Sequence, residues 1–330
     1  MNNEIFIYFI ISFAFSIILF ITWIPIFRKL KIGQTIRVDG PSEHLKKNGT
    51  PTMGGLIMFI SFTCSFVFCG ITKLNMHFMD IMFYLFPILC YGLIGLIDDV
   101  LIIIKHNNEG IKPLTKIIMQ VTCVLIYYAL FHNNFNKTVD LFFTKINFKY
   151  FYFLFILLVF VSSTNAVNLT DGLDGLATGL LIISFIGILV LGILKNNNAV
   201  SHYSVCMIAS LLAFLLFNHY PAKIFMGNVG SMMFGASLAT LMISLNEEML
   251  LLIIALVFII ETLSVIIQVT YFKISKGKRI FKMAPLHHHF EKSGYTEWQI
   301  DFMFWMVALV SVTFLILILI AWGEKWKNYY

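Results

Sequence analysis

The chain has few charged residues. Asp, Glu, Lys and Arg make up 12% of its 330 residues, whereas hydrophobic residues make up 59%. Ordinary soluble domains contain about 25% charged residues, so this composition excludes a soluble globular protein. The apolar residues lie in long runs rather than in short alternating segments, which excludes a membrane β-barrel and favours membrane-spanning helices.

Cysteine is also scarce, and its placement excludes two further classes. All five cysteines fall inside the apolar runs, and none has metal-ligand spacing, so the sequence indicates neither disulfides nor a zinc site. The chain contains no low-complexity tract, no convincing internal repeat and no stretch polar enough for a soluble domain. We therefore expect one integral membrane domain over residues 1–330.

Ten apolar runs are long enough to cross a bilayer as helices. They cover residues 5–27, 53–71, 79–97, 114–131, 150–166, 175–194, 200–219, 230–245, 249–271 and 302–322. We expect an all-α fold, a polytopic bundle of about ten transmembrane helices. The first run is too long for the apolar part of a signal peptide and has no basic residue before it, so we expect it to remain as the first helix.

The basic residues predict the orientation of the bundle. Of the 23 Lys and Arg residues, 16 fall in the connections 28–52, 98–116, 218–229 and 272–301. The positive-inside rule makes these connections cytoplasmic, and 166–174 shares their side because successive spans alternate. Both termini are then extracytoplasmic. The net charge is +6, but the basic residues are concentrated on this side of the membrane and form no stripe with interleaved aromatics. We therefore expect membrane lipids and no nucleic acid as partners.

Polar clusters interrupt the apolar pattern at connections of this same side. They are Asp98-Asp99, the NAVNLTDGLDGLA segment 165–177, residues 218–231 and residues 282–291. Carboxylates at bilayer depth are costly unless they are paired, hydrated or holding a cation. Because chance would distribute such clusters over both faces, we expect these connections, with the basic Gly-rich segment 44–55, to form one site.

The two pairs of acids each have a functional and a structural interpretation. Asp98 and Asp99 are hard oxygen ligands of the kind that Mg²⁺ shares with phosphates, or they are a hydrated helix end. Asp171 and Asp174 lie three residues apart, on one helix face if a helix begins at about Gly175, where free N–H groups would face an anion. The alternative is an Asp helix cap and turn.

The remaining polar segments are less specific alone. Asn228, between Gly227 and Gly230, is a candidate ligand position, although glycine is common in turns. The three consecutive histidines 287–289 suit a metal or the oxygens of a phosphate or sugar; we expect them in a loop, because adjacent residues of a regular helix cannot all face one ion. Lys47 and Thr52 suit an anionic ligand or lipid headgroups.

Read in order, six motifs carry a resemblance to a known family. They are VDGP with HLKKNGTPTMGG, the Asp98-Asp99 pair, NAVNLTDGLDGLA, FNHYPAKIFMGNVGS, ETLSVIIQV and FKMAPLHHHFE. Over residues 34–291 the chain resembles the phospho-N-acetylmuramoyl-pentapeptide-transferases of peptidoglycan synthesis. The wider superfamily of polyprenyl-phosphate sugar-1-phosphate transferases shares the acidic motifs, whereas the HHH and GTPTMGG motifs are typical of this branch.

The resemblance implies an activity, a cofactor and a location. Such an enzyme transfers phospho-MurNAc-pentapeptide from UDP-MurNAc-pentapeptide to undecaprenyl phosphate, which forms lipid I and releases UMP. The resemblance also implies Mg²⁺ as the cofactor and a multi-pass protein of the bacterial inner membrane with its active site on the cytoplasmic face. The sequence leaves open whether two copies form a homodimer and which peptide stem the donor carries.

The resemblance also assigns roles to individual residues. The implied metal-site residues are Asp98, Asp99 and Asn228, and the implied catalytic residues are Asp98, Asp99, Lys116, Asp171 and His287. Asp98 is the usual candidate for orienting or deprotonating the lipid phosphate. The implied substrate-binding residues are Lys47, Thr52 and Asn168 in the cleft, Leu173, Asp174, Asn218 and Phe225 around the uridine, and Gln268, His288 and His289 in the outer pocket.

Two positions depart from the family pattern. Asn228 stands where the family has a metal-binding Asp, and Ile102 stands where it has a Lys. Asn keeps a carbonyl oxygen but loses the charge, so we expect weaker metal binding, and Lys105 is a candidate substitute for the missing Lys. Three explanations of these departures are open: a working enzyme with compensation, a weakened enzyme or an inactive homologue. We expect retained activity because the other motifs are intact.

There are three alternatives to this transferase activity. A related transferase that uses another UDP-sugar is the nearest alternative. A homologue that binds nucleotide or lipid without turnover is the second, and Asn228 and Ile102 motivate it. A transporter is disfavoured because its charges would lie near the midplane and inverted repeats would be expected.

Overall fold

The structure is a bundle of membrane-length helices. The computed structural model describes residues 2–30, 33, 49–105, 110–141 and 144–321. In this part of the chain, ten helices are long and apolar enough to span a membrane. They are α1 (Asn2–Lys29), α2 (Gly54–Thr72), α3 (Phe78–Lys105), α4 (Pro113–Phe131), α5 (Tyr152–Thr170), α6 (Leu176–Leu194), α7 (Asn198–Asn218), α8 (Gly227–Leu245), α10 (Leu256–Ile274) and α12 (Glu297–Ala321).

The remaining elements are short. Helices α9 (Leu251–Ile254) and α11 (Leu286–Glu291) lie in connections, as do single 3₁₀ turns at His132–Asn134, Lys149–Phe151 and Glu248–Leu250. Strands β1 (Thr138–Asp140) and β2 (Lys145–Asn147) form an antiparallel hairpin in which Val139 pairs with Ile146. The expected all-α membrane bundle of ten spans is therefore confirmed, and in the described residues this small hairpin is its only sheet.

Three helix boundaries differ from those expected. Helix α3 continues to Lys105, so Asp98 and Asp99 lie within its last turns and not at its end. The residues after the acids are again apolar, which lets the helix continue. The expected span 249–271 is a 3₁₀ turn and α9, followed by α10 from Leu256. The last span begins at Glu297 and not at residue 302.

Helix α8 lies at the centre of the bundle and packs against α2, α3, α5, α6 and α7. Small residues permit this close packing. A Cβ atom on Gly55 would lie 2.1 Å from the backbone nitrogen of Gly230, and one on Gly95 would lie 2.2 Å from the carbonyl oxygen of Asn228. The backbones of α2 and α3 therefore touch the first turn of α8, so the polar residues near that turn are held by rigid neighbours.

The outer helices expose apolar side chains. Large hydrophobic residues of α1, α4, α10 and α12 are exposed, including Phe6, Ile118, Ile266 and Phe314. Faces of this size and composition are incompatible with water and suit lipid. The chain is thus a multi-pass membrane protein.

The two ends of the bundle differ in chemistry. We call the end at which α3, α5 and α7 finish the site end and the opposite one the hairpin end. At the hairpin end, the Tyr152 hydroxyl donates to Glu248 Oε1 at 2.8 Å, and Lys195 forms an ion pair with Glu247. Both glutamates are buried beside the hairpin. Burial raises the pKa of Glu248 to about 7.

Candidate active site

Two connections meet at the site end through backbone hydrogen bonds. The amide of Phe225 donates to Pro51 O, Gly54 N donates to Phe225 O, and Gly55 N donates to Met226 O, each at 2.8 Å. The chain turns sharply beside this pairing, where Met53 has a φ of 68° and Gly227 a φ of 76°. The GTPTMGG and IFMGNVGS segments, which are about 170 residues apart in the sequence, therefore form one layer.

Asp99 holds the start of α8. Its Oδ1 accepts from the backbone amide of Asn228 at 3.0 Å and from Asn228 Nδ2 at 2.8 Å, and its Oδ2 accepts from Val229 N at 3.2 Å. The side chain is 4% exposed. A carboxylate at a helix N-terminus gains from the free N–H groups and from the helix dipole, and these three donors fix the position of the Asp99 carboxylate.

The Asn228 side chain links Asp99 to α5. Its Oδ1 accepts from Asn168 Nδ2 at 2.7 Å, and the same Asn168 group donates to Ser231 Oγ at 2.8 Å. The hydrogen bonds fix the amide orientation, because the opposite orientation would place the Asn228 oxygen against the Asp99 carboxylate. Asn228 therefore directs its NH₂ group toward Asp99 and its oxygen toward Asn168.

Asp98 points to a different helix from Asp99. Its Oδ2 accepts from Lys116 Nζ at 2.9 Å, and its Oδ1 accepts from Ile111 N at 2.5 Å. Successive residues of an α-helix point about 100° apart, so the two adjacent acids face α4 and α8 separately. Lys116 of α4 thus forms the ion pair with Asp98.

Asp174 and Asn218 fasten two connections together. Asp174 Oδ2 accepts from Ala222 N at 2.9 Å, while Asn218 Oδ1 accepts from Gly175 N at 3.2 Å and from Thr178 Oγ1 at 2.7 Å. The Gly175 amide, at the expected helix start, is not free for an anion, because Asn218 already accepts from it. Asp171 and Asp174 also do not share a helix face, since they lie in the turn between α5 and α6.

Asp171 differs from Asp98, Asp99 and Asp174 because its carboxylate has no partner among the described residues. Among the residues that the structure describes, no group donates a hydrogen bond to its carboxylate and no cation pairs with it. Its side chain is half-buried. Burial, reinforced by the negative charges of Asp99 and Asp174, raises the pKa of Asp171 to about 7. This is the carboxylate that a cation would stabilise most.

Other expected substrate residues surround these acids. A Cβ on Gly227 would lie 2.6 Å from Asp99 Oδ2 and 3.0 Å from Thr52 Oγ1, so the Thr52 hydroxyl and the carboxylate flank the same backbone atom. Leu173 is buried and Phe225 is half-buried, next to the hydrogen-bonded turn and loop. Lys47 lies outside the described residues.

The three histidines do not form a loop. Residues Leu286–Glu291 are the short helix α11, which starts after Pro285, so the expected loop is wrong; a six-residue helix is too short to show a periodic pattern. Each ring has its own partner. His287 Nδ1 lies 3.0 Å from Glu261 Oε2, His288 Nδ1 lies 2.5 Å from Glu291 Oε2, and His289 Nδ1 accepts from Lys282 N at 3.1 Å.

Gln268 is bonded within the protein. Its Oε1 accepts from the amides of Ile280 and Phe281 at 3.1 and 3.0 Å, and its Nε2 donates to Phe281 O at 3.1 Å. Gln268 therefore ties the loop after α10 to the helix. It also lines a cavity of about 460 Å³ with apolar side chains and the cations Lys273, Arg279 and Lys292.

The donor set suits a cation that is shared with a ligand. Within the described ranges, no three His, Cys, Asp or Glu side chains are grouped closely enough to hold a metal alone. Mg²⁺ usually takes one or two carboxylates and completes its shell with water and substrate phosphates. Asp171 supplies carboxylate oxygens that no group donates to among the described residues, so it fits one ligand of such a shared ion.

Several buried acids near the site were not identified from the sequence, among them Glu261 and Glu297. Glu261 is fully buried in α10 and bonds to His287, and Glu297 at the start of α12 accepts from Asp174 N at 3.2 Å. Glu261 had a detectable signal, because an acid within a membrane span indicates function or a specific partner. Glu297 lies before the apolar run of its helix and had no comparable signal.

The chain is similar to known transferases over most of its length. Residues 81–246 match the family model described as glycosyl transferase family 4. A phospho-N-acetylmuramoyl-pentapeptide-transferase of Limosilactobacillus fermentum is 46% identical over 91% of this chain and 92% of its own length. Proteins of the same name from Staphylococcus carnosus and Staphylococcus aureus are 44% and 42% identical, over 92% and 93% of this chain and 95% and 97% of their own lengths.

Proposed function

The chain belongs to the phospho-N-acetylmuramoyl-pentapeptide-transferase family, and we propose that it makes lipid I for peptidoglycan synthesis. It transfers phospho-MurNAc-pentapeptide from the UDP-linked donor to undecaprenyl phosphate and releases UMP. The observation that carries this proposal is the meeting of Thr52, Asp99, Asn168 and Asn228 around the first turn of α8. The family motifs that are distant in the sequence thus supply one polar site.

We place this site at the cytoplasmic face of the bacterial inner membrane. Most of the Lys and Arg residues lie in connections at the site end, which the positive-inside rule assigns to the cytoplasm. The location also suits the substrates, because a soluble nucleotide sugar has to meet a lipid whose phosphate stays at headgroup level. Basic residues at this end attract both anions.

The phosphates are the reacting groups. An oxygen of the lipid phosphate forms a bond to the sugar-linked phosphorus of the donor, and the bond from that phosphorus to the bridging oxygen breaks. UMP leaves with the electron pair. A lipid phosphate already carries negative charge near neutral pH, so no strong base is needed, and positioning and charge stabilisation supply most of the rate.

The acids of the site have different roles in this positioning and charge stabilisation. Asp171 and Asp99 would hold Mg²⁺, with the Asn228 side chain beside them, and the bound ion would offset the repulsion between the two anionic substrates. Asp99 is kept in place by three donors from α8. Asp98 orients Lys116, whose charge attracts a phosphate.

The donor nucleotide would lie against the turn between α5 and α6. Leu173 and Phe225 offer apolar surface for a base, and the Asp174 and Asn218 bonds hold the turn and loop at a fixed spacing. A rigid pocket of this kind loses little entropy on binding. Thr52, His288 and His289 remain candidates for contacts with the phosphates, the sugar or the peptide.

Synthesis of lipid I by the purified chain tests the proposal. The assay combines UDP-MurNAc-pentapeptide and undecaprenyl phosphate in detergent, with Mg²⁺ or with a chelator, and follows UMP and the lipid product. We expect both products in the Mg²⁺ sample only. Product from UDP-GlcNAc but none from the muramoyl donor would show a related transferase instead.

Nucleotide binding without turnover is the second candidate function. The Asn228 NH₂ group favours it, because it satisfies Asp99 where the family has a metal-binding acid. Calorimetric titration with UMP, together with the lipid I assay, distinguishes the two. Binding of UMP together with no lipid I at any Mg²⁺ concentration would establish the second candidate.

A further inference from the structure

A buried glutamate is bonded to the first residue of the histidine run. Glu261 lies in α10, is 0% exposed, and uses both carboxylate oxygens on His287. Oε1 accepts from the backbone amide of His287 at 3.1 Å, and Oε2 lies 3.0 Å from its Nδ1. An ionised carboxylate only accepts hydrogen bonds, so Nδ1 carries a proton in this arrangement.

The other ring nitrogen points at the acidic turn. His287 is 1% exposed, and its Nε2 has no hydrogen-bond partner among the described residues. A Cβ on Gly172 would lie 2.3 Å from this Nε2, so the nitrogen rests directly on the backbone beside Asp171. A buried polar atom without a partner is costly, and at the edge of a substrate site it suggests that the partner is part of the ligand.

We propose that Glu261 is a positioning residue that keeps the proton of neutral His287 on Nδ1. The Nε2 lone pair is thereby presented to the turn 171–174, where it accepts a hydrogen bond from a hydroxyl or amide N–H of the nucleotide sugar. The choice of this ligand rests on the proposed function, whereas the proton position depends only on the geometry of the Glu261–His287 pair.

A glutamine at position 261 would reverse the proton position. The backbone amide of His287 can only donate, so it requires the glutamine oxygen in the place of Oε1. The glutamine NH₂ group then faces Nδ1, which has to become the acceptor, and the ring proton moves to Nε2. The volume of the side chain is almost unchanged, so Glu261→Gln alters the hydrogen-bond donors without emptying the core. Glu261→Asp, in contrast, retains a carboxylate.

Nitrogen-15 NMR of histidine-labelled protein in nanodiscs measures the proton position without any substrate. The His287 signals are identified by their loss in His287→Asn, and spectra are recorded at a pH where the ring is neutral. We expect the wild type and Glu261→Asp to carry the proton on Nδ1 and Glu261→Gln to carry it on Nε2. A wild-type ring with its proton on Nε2, or a Glu261→Gln ring unchanged from the wild type, would overturn the proposal.

Kinetics of lipid I synthesis then tests the consequence. We expect Glu261→Gln to lower kcat by about 10- to 100-fold, the range found when the partner that orients a metal-bound histidine is removed, with Glu261→Asp recovering part of the loss. Glu261→Gln combined with His287→Asn should be no slower than His287→Asn alone, because the glutamate acts through the ring. Additive losses would contradict this.

Thr262→Val is the matched control. Thr262 is the next residue of α10, is half-buried and bonds only to its own helix, at Phe258 O. Its kcat should stay within about twofold of the wild type. If the wild type makes no lipid I but its ring carries the proton on Nδ1, the proposed function fails and the assignment of Glu261 stands.

Discussion

Asn228 stands where the family resemblance implies a metal-binding acid, and the effect of replacing it by Asp should depend on Mg²⁺. The Asn228 NH₂ group donates to Asp99 Oδ1 at 2.8 Å. In Asn228→Asp, an oxygen takes the place of this donor, so one hydrogen bond is lost and two carboxylates face each other. A cation between them becomes the natural replacement for the missing donor.

The size of this effect follows from the geometry. Two unit charges about 4 Å apart repel by about 4 kcal/mol at the effective dielectric constant of a protein near its surface, which applies because Asn228 is half-buried beside the buried Asp99. Asn228→Asp should therefore be less stable than the wild type by about this amount in a chelator. Mg²⁺ should recover most of the loss, and the variant should reach half-maximal turnover at a lower Mg²⁺ concentration than the wild type.

Thermal unfolding in detergent, with chelator and with increasing Mg²⁺, measures the stability, and UMP release measures the turnover. Asn228→Ala is the control, since it removes the same hydrogen bond without adding charge, and its melting temperature should not respond to Mg²⁺ more than that of the wild type. Equal stability of Asn228→Asp and the wild type in the chelator would refute the contact between Asn228 and Asp99. If neither form turned over, the chain would not be a working transferase.

Three further predictions concern Glu248 at the hairpin end and the Gly172 and Asp171 positions of the site. The pKa of Glu248 is raised from 4.5 to about 7, so the free energy of unfolding should fall as the pH rises between these values. Glu248→Gln should therefore recover about 3 kcal/mol of this free energy at pH 8 but none at pH 4. An equal shift of the melting temperature at both pH values would contradict this. Gly172→Ala should lower the free energy of unfolding by about 1–3 kcal/mol, and should lower kcat, because its Cβ clashes with His287. In Gly92→Ala the Cβ would lie 3.7 Å from its nearest neighbour, so stability and kcat should both stay unchanged. Because the pKa of Asp171 is about 7, the Mg²⁺ concentration for half-maximal turnover should rise as the pH falls from 8 to 6, and Asp171→Asn should lose this dependence.

The spans could be predicted from the sequence because their signal is long and local. Each needs about 20 apolar residues, and the ten helices lie close to the expected runs. The hairpin of β1 and β2 could not be predicted, since its strands have three residues each and leave no measurable alternation. Helix α11 was missed for the same reason of length.

The residue types of the site were predictable, but their partners were not. Motif order identified Asp98 and Asp99 as members of one site, yet helix geometry sends them to Lys116 and to Asn228 respectively. Such pairings depend on which helices are neighbours in space, and a single sequence does not encode this directly. Glu261 was missed because its importance comes from its contact with His287.

The central position of α8 has a consequence for how the protein is made. Nearly all of α8 is buried, and it is the least hydropathic of the ten spans. A segment that carries several Gly and Ser residues gains little from contact with acyl chains. During biosynthesis α8 should therefore partition poorly from the translocon by itself and should depend on earlier helices, such as α3 and α7, that are already in the bilayer.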